Sequence, residues 1–211
     1  MPHALSAMLG ARPTIGSTSM ISGARIRFLS FALVLFCAFA HAQSFEITEL
    51  MHMLATVEQS RARFTETRHI ALLEQPLILS GTLSYDRPDR LEKKVMTPYS
   101  ERLSVDGNQL TLETKGKSKV LPLNEQPMLR ALVASIRATR AGDLGTLERY
   151  YQLDLGGDEG AWTLTLKPYD PAVKKQIRAI VMSGQNERIL QVEVFETGGD
   201  RSIMVISEEL S

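Results

Sequence analysis

The sequence predicts a mostly β protein of the α+β class, in which a curved antiparallel sheet forms a half-open barrel. Apolar and polar residues alternate along about eleven short segments, which is the period of strands with one buried side. Only two or three segments have the helical period, too few to cover that much sheet by ordinary packing. A sheet that curls around its helices resolves the mismatch.

The first elements are an amphipathic helix and, after it, a strand that is buried mainly on one side. Ser44 is a suitable N-cap for the helix, and from Arg63 onward the period changes to two. Apolar residues of the helix recur at Ile47, Leu50, Met51, Leu54 and Val57. Apolar residues of the strand recur at Leu77, Leu79, Leu83 and Tyr85. Arg87-Pro88-Asp89 is then typical of a turn.

A hairpin and a second helix follow. Asp106-Gly107 separates two alternating runs, one with Leu103 and Val105 and one with Leu110 and Leu112, and predicts the hairpin turn. The second helix begins near Asn124, and Gly142 is placed to end it. Its apolar stripe consists of Met128, Leu129, Leu132, Val133 and Ile136. Asp143 is placed to cap a further short helix.

Strands resume after this helix and continue to the end of the chain. Their apolar positions are Tyr151, Leu153 and Leu155; Trp162, Leu164 and Leu166; Ile177, Ala179 and Val181; Leu190, Val192 and Val194; and Ile203 to Ile206. Turns are predicted at Gly156-Gly157-Asp158, Gly184-Gln185-Asn186 and Gly198-Gly199-Asp200. Because no repeat or linker interrupts this pattern, residues 43–211 are predicted to form one domain.

The first 42 residues have the organisation of an export signal. Two arginines precede the apolar stretch from Phe28 to Ala40, and Ala40-His41-Ala42 has small residues where a signal peptidase reads them. We therefore predict cleavage after Ala42, with the true start possible at Met20, and release into the periplasm. The bulky Phe36 before Cys37, the only cysteine, disfavours a lipidated anchor.

Charge and motifs exclude several function classes. Removal of residues 1–42 takes away three arginines and no acidic residue, so a net charge of zero becomes about three negative, which disfavours nucleic acid as a partner. His52 and His69 lack a third metal ligand nearby, and no recognisable nucleophile motif is present. We expect neither catalysis nor a cofactor, although an acid and base pair of carboxylates could be hidden among the scattered acidic residues.

The inner side of such a sheet is apolar, and pattern alone leaves two alternatives open. Side chains could fill the inner side of the sheet completely, or a hydrophobic cavity could remain. Trp162 alternates with Leu164 and Leu166, which places its ring in the core or in a cavity wall, with a sugar-stacking platform as the sharper alternative.

The order of motifs resembles the LolA-like carriers of outer-membrane lipoproteins. The likeness rests on F-T-E at Phe64 to Glu66, G-T-L-S-Y-D-R-P at Gly81 to Pro88, Val105-Asp106-Gly107 with Leu110, Pro127-Met128-Leu129, and W-T-L-T-L-K-P at Trp162 to Pro168. It implies a hydrophobic cavity under a helical lid, with Arg87 and Pro88 at the latch that governs opening. The cavity or its entrance would be lined by Leu83, Tyr85, Leu91, Leu103, Val105, Leu129, Leu132, Val133, Ile136, Trp162 and Leu164.

The resemblance also implies a function. We expect a monomeric periplasmic carrier of acylated lipoproteins or other lipids, served by an inner-membrane donor transporter and an outer-membrane acceptor. Two alternatives are a periplasmic hydrolase of envelope glycans or lipids and a structural envelope module whose barrel is filled. The outer-membrane receptor of the same fold is disfavoured because it needs a lipidated cysteine.

Overall fold

A computed structural model of the chain describes residues 45–209, so the predicted export signal and its cleavage site lie outside the described residues. The strands are β1 (Gln59–His69), β2 (Leu77–Asp86), β3 (Arg90–Thr97), β4 (Glu101–Asp106), β5 (Gln109–Thr114), β6 (Lys117–Pro122), β7 (Tyr151–Asp158), β8 (Ala161–Pro168), β9 (Ile177–Gln185), β10 (Arg188–Glu196) and β11 (Arg201–Glu209). The helices are α1 (Ile47–Ala55), α2 (Pro127–Ala141), α3 (Leu144–Tyr150) and α4 (Pro171–Lys174), and a 3-10 turn (Leu123–Glu125) precedes α2.

All eleven strands belong to one sheet, with the order β6-β5-β4-β3-β2-β1-β11-β10-β9-β8-β7. Every pair is antiparallel, and β1 joins the N-terminal hairpins to β11 at the other end of the described chain. Because β6 and β7 are edges that do not pair with each other, the sheet stays open. The predicted half-open, mostly β fold is confirmed.

The structure confirms some of the predicted helix ends and corrects others. Gly142 ends α2 with φ +67°, and the Asp143 carboxylate accepts a hydrogen bond from the Thr146 N–H at 2.9 Å, as predicted. The cap predicted at Ser44 is wrong, because α1 begins at Ile47 with Glu46 as its N-cap. The start predicted near Asn124 is also wrong, because α2 begins at Pro127, whose fixed φ suits the first helical position.

Three predicted turns are corrected by the structure. Gly184 and Gln185 belong to β9, so the turn predicted at 184–186 consists instead of Asn186 and Glu187. Asp106 still pairs with Gln109 in the ladder, so the hairpin turn consists of Gly107, with φ +54°, and Asn108. Residues 156–158 belong to β7, so the turn predicted there is wrong. At Gly157 a Cβ would lie 2.0 Å from the Ala161 carbonyl oxygen, so this glycine serves close strand approach inside the ladder.

Helices α1, α2 and α3 pack on one face of the sheet, which we call the inner face. Their apolar side chains and those of β7 to β10 form the largest hydrophobic cluster. Its most buried members are Leu50, Leu54, Leu147, Trp162, Leu164, Leu166, Ile177, Ile180 and Met182. Each such side chain contributes about 1.5–3 kcal/mol of stabilisation through burial. This half of the inner face is a filled core.

The other half of the inner face holds two smaller clusters. Near the 3-10 turn, Val105, Leu110, Leu123 and Val133 are buried, whereas Leu91, Leu103, Leu121 and Leu129 pack around them half-buried. Further along the strands, Phe64, Leu79 and Val95 form the third cluster, with Leu77, Leu83 and Met204 at its margin. Helical cover is therefore uneven from one end of the sheet to the other.

Candidate functional site

Helix α2 connects the filled and the partly covered halves of the inner face. Met128, Leu132 and Ile136 pack against the largest cluster, whereas Leu129 and Val133 pack against the second one. The predicted apolar stripe therefore serves two different neighbours. Tyr151 fastens the helix to β7, because its hydroxyl donates to the Ala131 carbonyl at 2.6 Å. Burial raises the pKa of Tyr151 to about 12, so the hydroxyl remains a donor at neutral pH.

Arg87 joins the turn between β2 and β3 to the ends of two helices. Its Nη1 donates to the Ala55 carbonyl at the end of α1 at 2.8 Å, and its Nη2 donates to the Ala141 carbonyl at the end of α2 at 3.4 Å. Carbonyls at a helix C-terminus lack intrahelical partners and carry the negative end of the helix dipole. One exposed guanidinium thereby satisfies two helix ends.

Gly142 explains how one side chain reaches both helices. A Cβ at this position would lie 2.5 Å from the Met51 carbonyl oxygen and 2.8 Å from the Ala55 Cβ. The end of α2 therefore approaches α1 more closely than a side chain would permit, and its positive φ also favours glycine. This contact brings the Ala55 and Ala141 carbonyls within reach of Arg87.

Arg137 makes a second connection at this edge of the inner face, which we call the rim and which includes the β2–β3 turn (87–89) and the β4–β5 turn (107–108). Our sequence analysis did not single this residue out. Its Nη1 donates to the Gly107 carbonyl at 2.8 Å, and its Nη2 donates to the Asp89 carbonyl. The middle of α2 is therefore fastened to the β2–β3 and β4–β5 turns. Burial lowers the pKa of Arg137, opposed by Asp89 and Asp106. Its Nε is buried and finds no hydrogen-bond partner among the described residues.

A recess of about 390 Å³ opens beside these two arginines. Pro88 and Gly107 line it from the turns, and Leu123, Val133 and Arg137 line it from the helical side. Tyr85 is buried in the rim, and its hydroxyl also has no partner within residues 45–209. Burial raises the pKa of Tyr85, which Arg87 and Arg140 counteract in part.

The structure divides the predicted lining residues among the three clusters. Leu91, Leu103, Val105, Leu129 and Val133 meet in the second cluster. Leu132, Ile136, Trp162 and Leu164 belong to the largest cluster, and Leu83 lies at the margin of the third. Trp162 is fully buried there, and its indole N–H donates to the Asn186 carbonyl at 2.8 Å.

The described residues offer few features of other site classes. Between residues 45 and 209, no three His, Cys, Asp or Glu side chains are grouped so that they could hold a metal ion. In the same part of the chain, no helix combines the length and apolar character needed to span a membrane. A more distinctive feature is the set of hydrogen bonds by which Arg87 and Arg137 connect the turns of the sheet to the helices.

Comparison with known proteins decides the family. Residues 39–207 match the family model described as outer membrane lipoprotein carrier protein, LolA-like. The chain belongs to this LolA-like family. It is also 27% identical over 180 residues to an outer-membrane lipoprotein carrier protein of Methylibium petroleiphilum, which covers 84% of this chain and 83% of that relative.

Solved structures of similar proteins are more distant from this LolA-like chain. A LolA superfamily protein from Nitrosomonas europaea is 13% identical, covers 77% of this chain and 90% of its own, and superposes with a TM-score of 0.43. The Pseudomonas aeruginosa MucA/MucB complex contains a chain that is 11% identical, with a TM-score of 0.44, covering 78% of this chain and 56% of that one.

Proposed function

We propose that the protein is a periplasmic carrier that shelters acyl chains of lipoproteins or related lipids on its inner face and moves them toward the outer membrane. The observation that carries this proposal is the latch: Arg87 holds the ends of α1 and α2 at the sheet rim. A helix held at its end by side-chain hydrogen bonds can leave the sheet without any covalent change.

The driving force for carriage is the hydrophobic effect. Each CH₂ group removed from water contributes about 0.8 kcal/mol, so acyl chains need an apolar container to cross an aqueous compartment. Half-buried Leu91, Leu103 and Leu129 offer such surface in the partly covered half of the sheet. An acyl chain there would replace the contacts that Leu129 and Val133 of α2 now make.

Opening must break bonds at both arginines. Movement of α2 away from the turns would release the Arg87 bonds to the helix ends and the Arg137 bonds to the Gly107 and Asp89 carbonyls. Each bond is charge-assisted but exposed or half-exposed, so we expect a modest barrier. An inner-membrane donor and an outer-membrane acceptor would supply and remove the cargo. Carriage of this kind requires no catalytic group.

The test begins with cargo. The mature chain, residues 43–211, is purified from the periplasm, and native mass spectrometry measures any co-purified lipid. The protein is then incubated with inner-membrane vesicles, and released lipoproteins are counted. Bound lipid together with lipoprotein release supports the proposal. Bound lipid without release indicates a carrier of another lipid, and the absence of both would refute carriage.

Arg87→Leu tests the latch when outer-membrane vesicles are added to the same assay as acceptors. We expect the variant to fold and take up cargo but to deliver it to acceptor membranes at a strongly reduced rate. Release returns the protein to the state in which Arg87 holds the helix ends, and the variant cannot form that state. Arg137→Met should shift delivery in the same direction. Arg149→Leu, an exposed arginine on α3, is the matched control and should behave as the parent. Normal delivery by Arg87→Leu would contradict the latch.

A further inference from the structure

An ion cluster lies within the apolar inner face. Glu66 is only 3% exposed, and its carboxylate accepts hydrogen bonds from the Arg68 Nε at 2.8 Å and the Ser202 hydroxyl at 2.6 Å. It also accepts from the Lys93 Nζ, and Lys93 retains 19% exposure of its side chain. The Lys93 ammonium lies 5.0 Å from the centre of the Phe64 ring. No step of the proposed carriage uses this cluster.

Strand register places the cluster relative to the rim. Cross-strand neighbours on β1 to β4 form rows across the inner face, and each row lies about 7 Å beyond the previous one along the strands. The rim row contains Ser60, Tyr85, Leu91 and Val105. The second row contains Ala62, Leu83, Lys93 and Leu103, and the third contains Phe64, Gly81, Val95 and Glu101. Glu66 and Leu79 follow in the fourth row.

Lys93 therefore interrupts the apolar surface in the second row from the rim. It stands directly between Leu83 and Leu103, and its side chain passes the third row to reach Glu66 in the fourth. The charges near it are balanced, since Glu66 and Glu101 face Lys93 and Arg68. An additional anion would therefore find no excess of positive charge, and an anion-binding role is disfavoured.

We propose that Lys93 and Glu66 form a polar floor that limits how long an acyl chain the β1–β4 half of the inner face can shelter. This inference rests on the proposed binding of acyl chains. A chain that stops above Lys93 gains apolar contact with the rim row and with Leu83 and Leu103. A longer chain would have to cover the ion cluster, excluding its remaining water without gaining apolar contact.

The experiment uses monoacylglycerols from octanoyl to stearoyl, whose uncharged head groups do not compete for Lys93. Their dissociation constants are measured by displacement of a fluorescent acyl probe from the mature protein. In the parent, each added CH₂ should strengthen binding about fourfold for shorter chains, after which the gain should stop. In Lys93→Met/Glu66→Gln the gain should continue to longer chains. The amide of the second substitution can still accept from Arg68 and Ser202.

The matched control is Arg102→Met/Glu113→Gln. These residues pair on β4 and β5 at 3.8 Å and alternate with the inner-face positions Leu103 and Leu112, so the same charge types are removed from the opposite face. The control should keep the length limit of the parent. If the double variant on the inner face does not fold, Lys93→Met alone is used, since Arg68 and Ser202 still bond Glu66.

The outcomes separate the two proposals. If the parent binds monoacylglycerols and the inner-face variant has an identical chain-length profile, acyl binding stands and the polar floor is refuted. If the parent binds no monoacylglycerol of any length, acyl carriage fails and the floor fails with it. A length limit that disappears equally in the control would also overturn the floor, because it would then reflect total charge.

Discussion

The two halves of the inner face are built from similar strands but are covered differently. At β7 to β10, α1, α2 and α3 seal Leu164 and Leu166 completely, at 0% exposure. At β3 to β6, Leu129 and Val133 of α2 and Leu123 of the 3-10 turn pack on the sheet, and Leu91, Leu103 and Leu121 remain half-buried. The filled half stabilises the fold through burial, whereas the carriage proposed above would use the partly covered half.

The largest expected effect is in the filled half. Leu164→Ala should lower the free energy of unfolding by about 2–5 kcal/mol. Leu164 is fully buried, so its truncation leaves a cavity in the core. Denaturant unfolding of the mature protein measures this loss. Leu164 was predicted as a cavity or entrance residue, so a stable variant with altered lipid binding would support that prediction and contradict the division into a filled and a partly covered half.

A smaller effect on stability is expected in the partly covered half. Leu103→Ala should cost about 1 kcal/mol, because the half-buried Leu103 already borders water. Its main consequence should be a weakening of monoacylglycerol binding of up to about tenfold through lost apolar contact. Unfolding and binding are measured side by side for Leu103→Ala and Leu164→Ala. Equal destabilisation of the two variants would show that the two halves do not differ in their contribution to stability.

The smallest expected effect is on the stability of the protein at acidic pH. Burial alone would raise the pKa of Glu66, but Lys93, Arg68 and Ser202 outweigh it and hold the pKa below 4.5. The stabilising contribution of Glu66 is therefore present above about pH 4.5 and is lost as the pH falls through the folded-state pKa. Lys93→Met/Glu66→Gln should lose less stability over that acidic range than the parent. If the unfolding free energies of the parent and the variant fall equally with pH, this role of the cluster is contradicted.

Several features of the latch and the floor had recognisable signals in the sequence. Arg87 in the turn after β2 was predicted at the latch through the family resemblance, and in the structure its guanidinium bonds the ends of two helices. Its role in cargo release stays a prediction. Lys93 alternates in step with the apolar Leu91 and Val95, and Glu66 alternates in step with Phe64, so both charged residues occupy positions where the pattern predicts an apolar side chain. That mismatch of charge and phase was a signal that our sequence analysis missed.

Other features had no local signal. Arg137 and Arg140 lie off the apolar stripe of α2 in the same way, and the sequence does not indicate which of them reaches the rim turns. The boundaries of α1 and α2 also shifted, because Ser44 and Asn124 are good caps by residue type while helix starts depend on the packing that follows.

Local sequence patterns specify the alternating strands, the helical stripes, the caps at Gly142 and Asp143, and hence a large open sheet with few helices. These follow from local rules, since side-chain period and backbone φ preference act over a few residues. By contrast, which half of the inner face is filled and which residues meet at the rim depend on how the whole chain folds. Arg137 and Asp89 are 48 positions apart, and Lys93 and Glu66 are 27 apart. Their proximity depends on strand order and curvature, which no short stretch of sequence encodes.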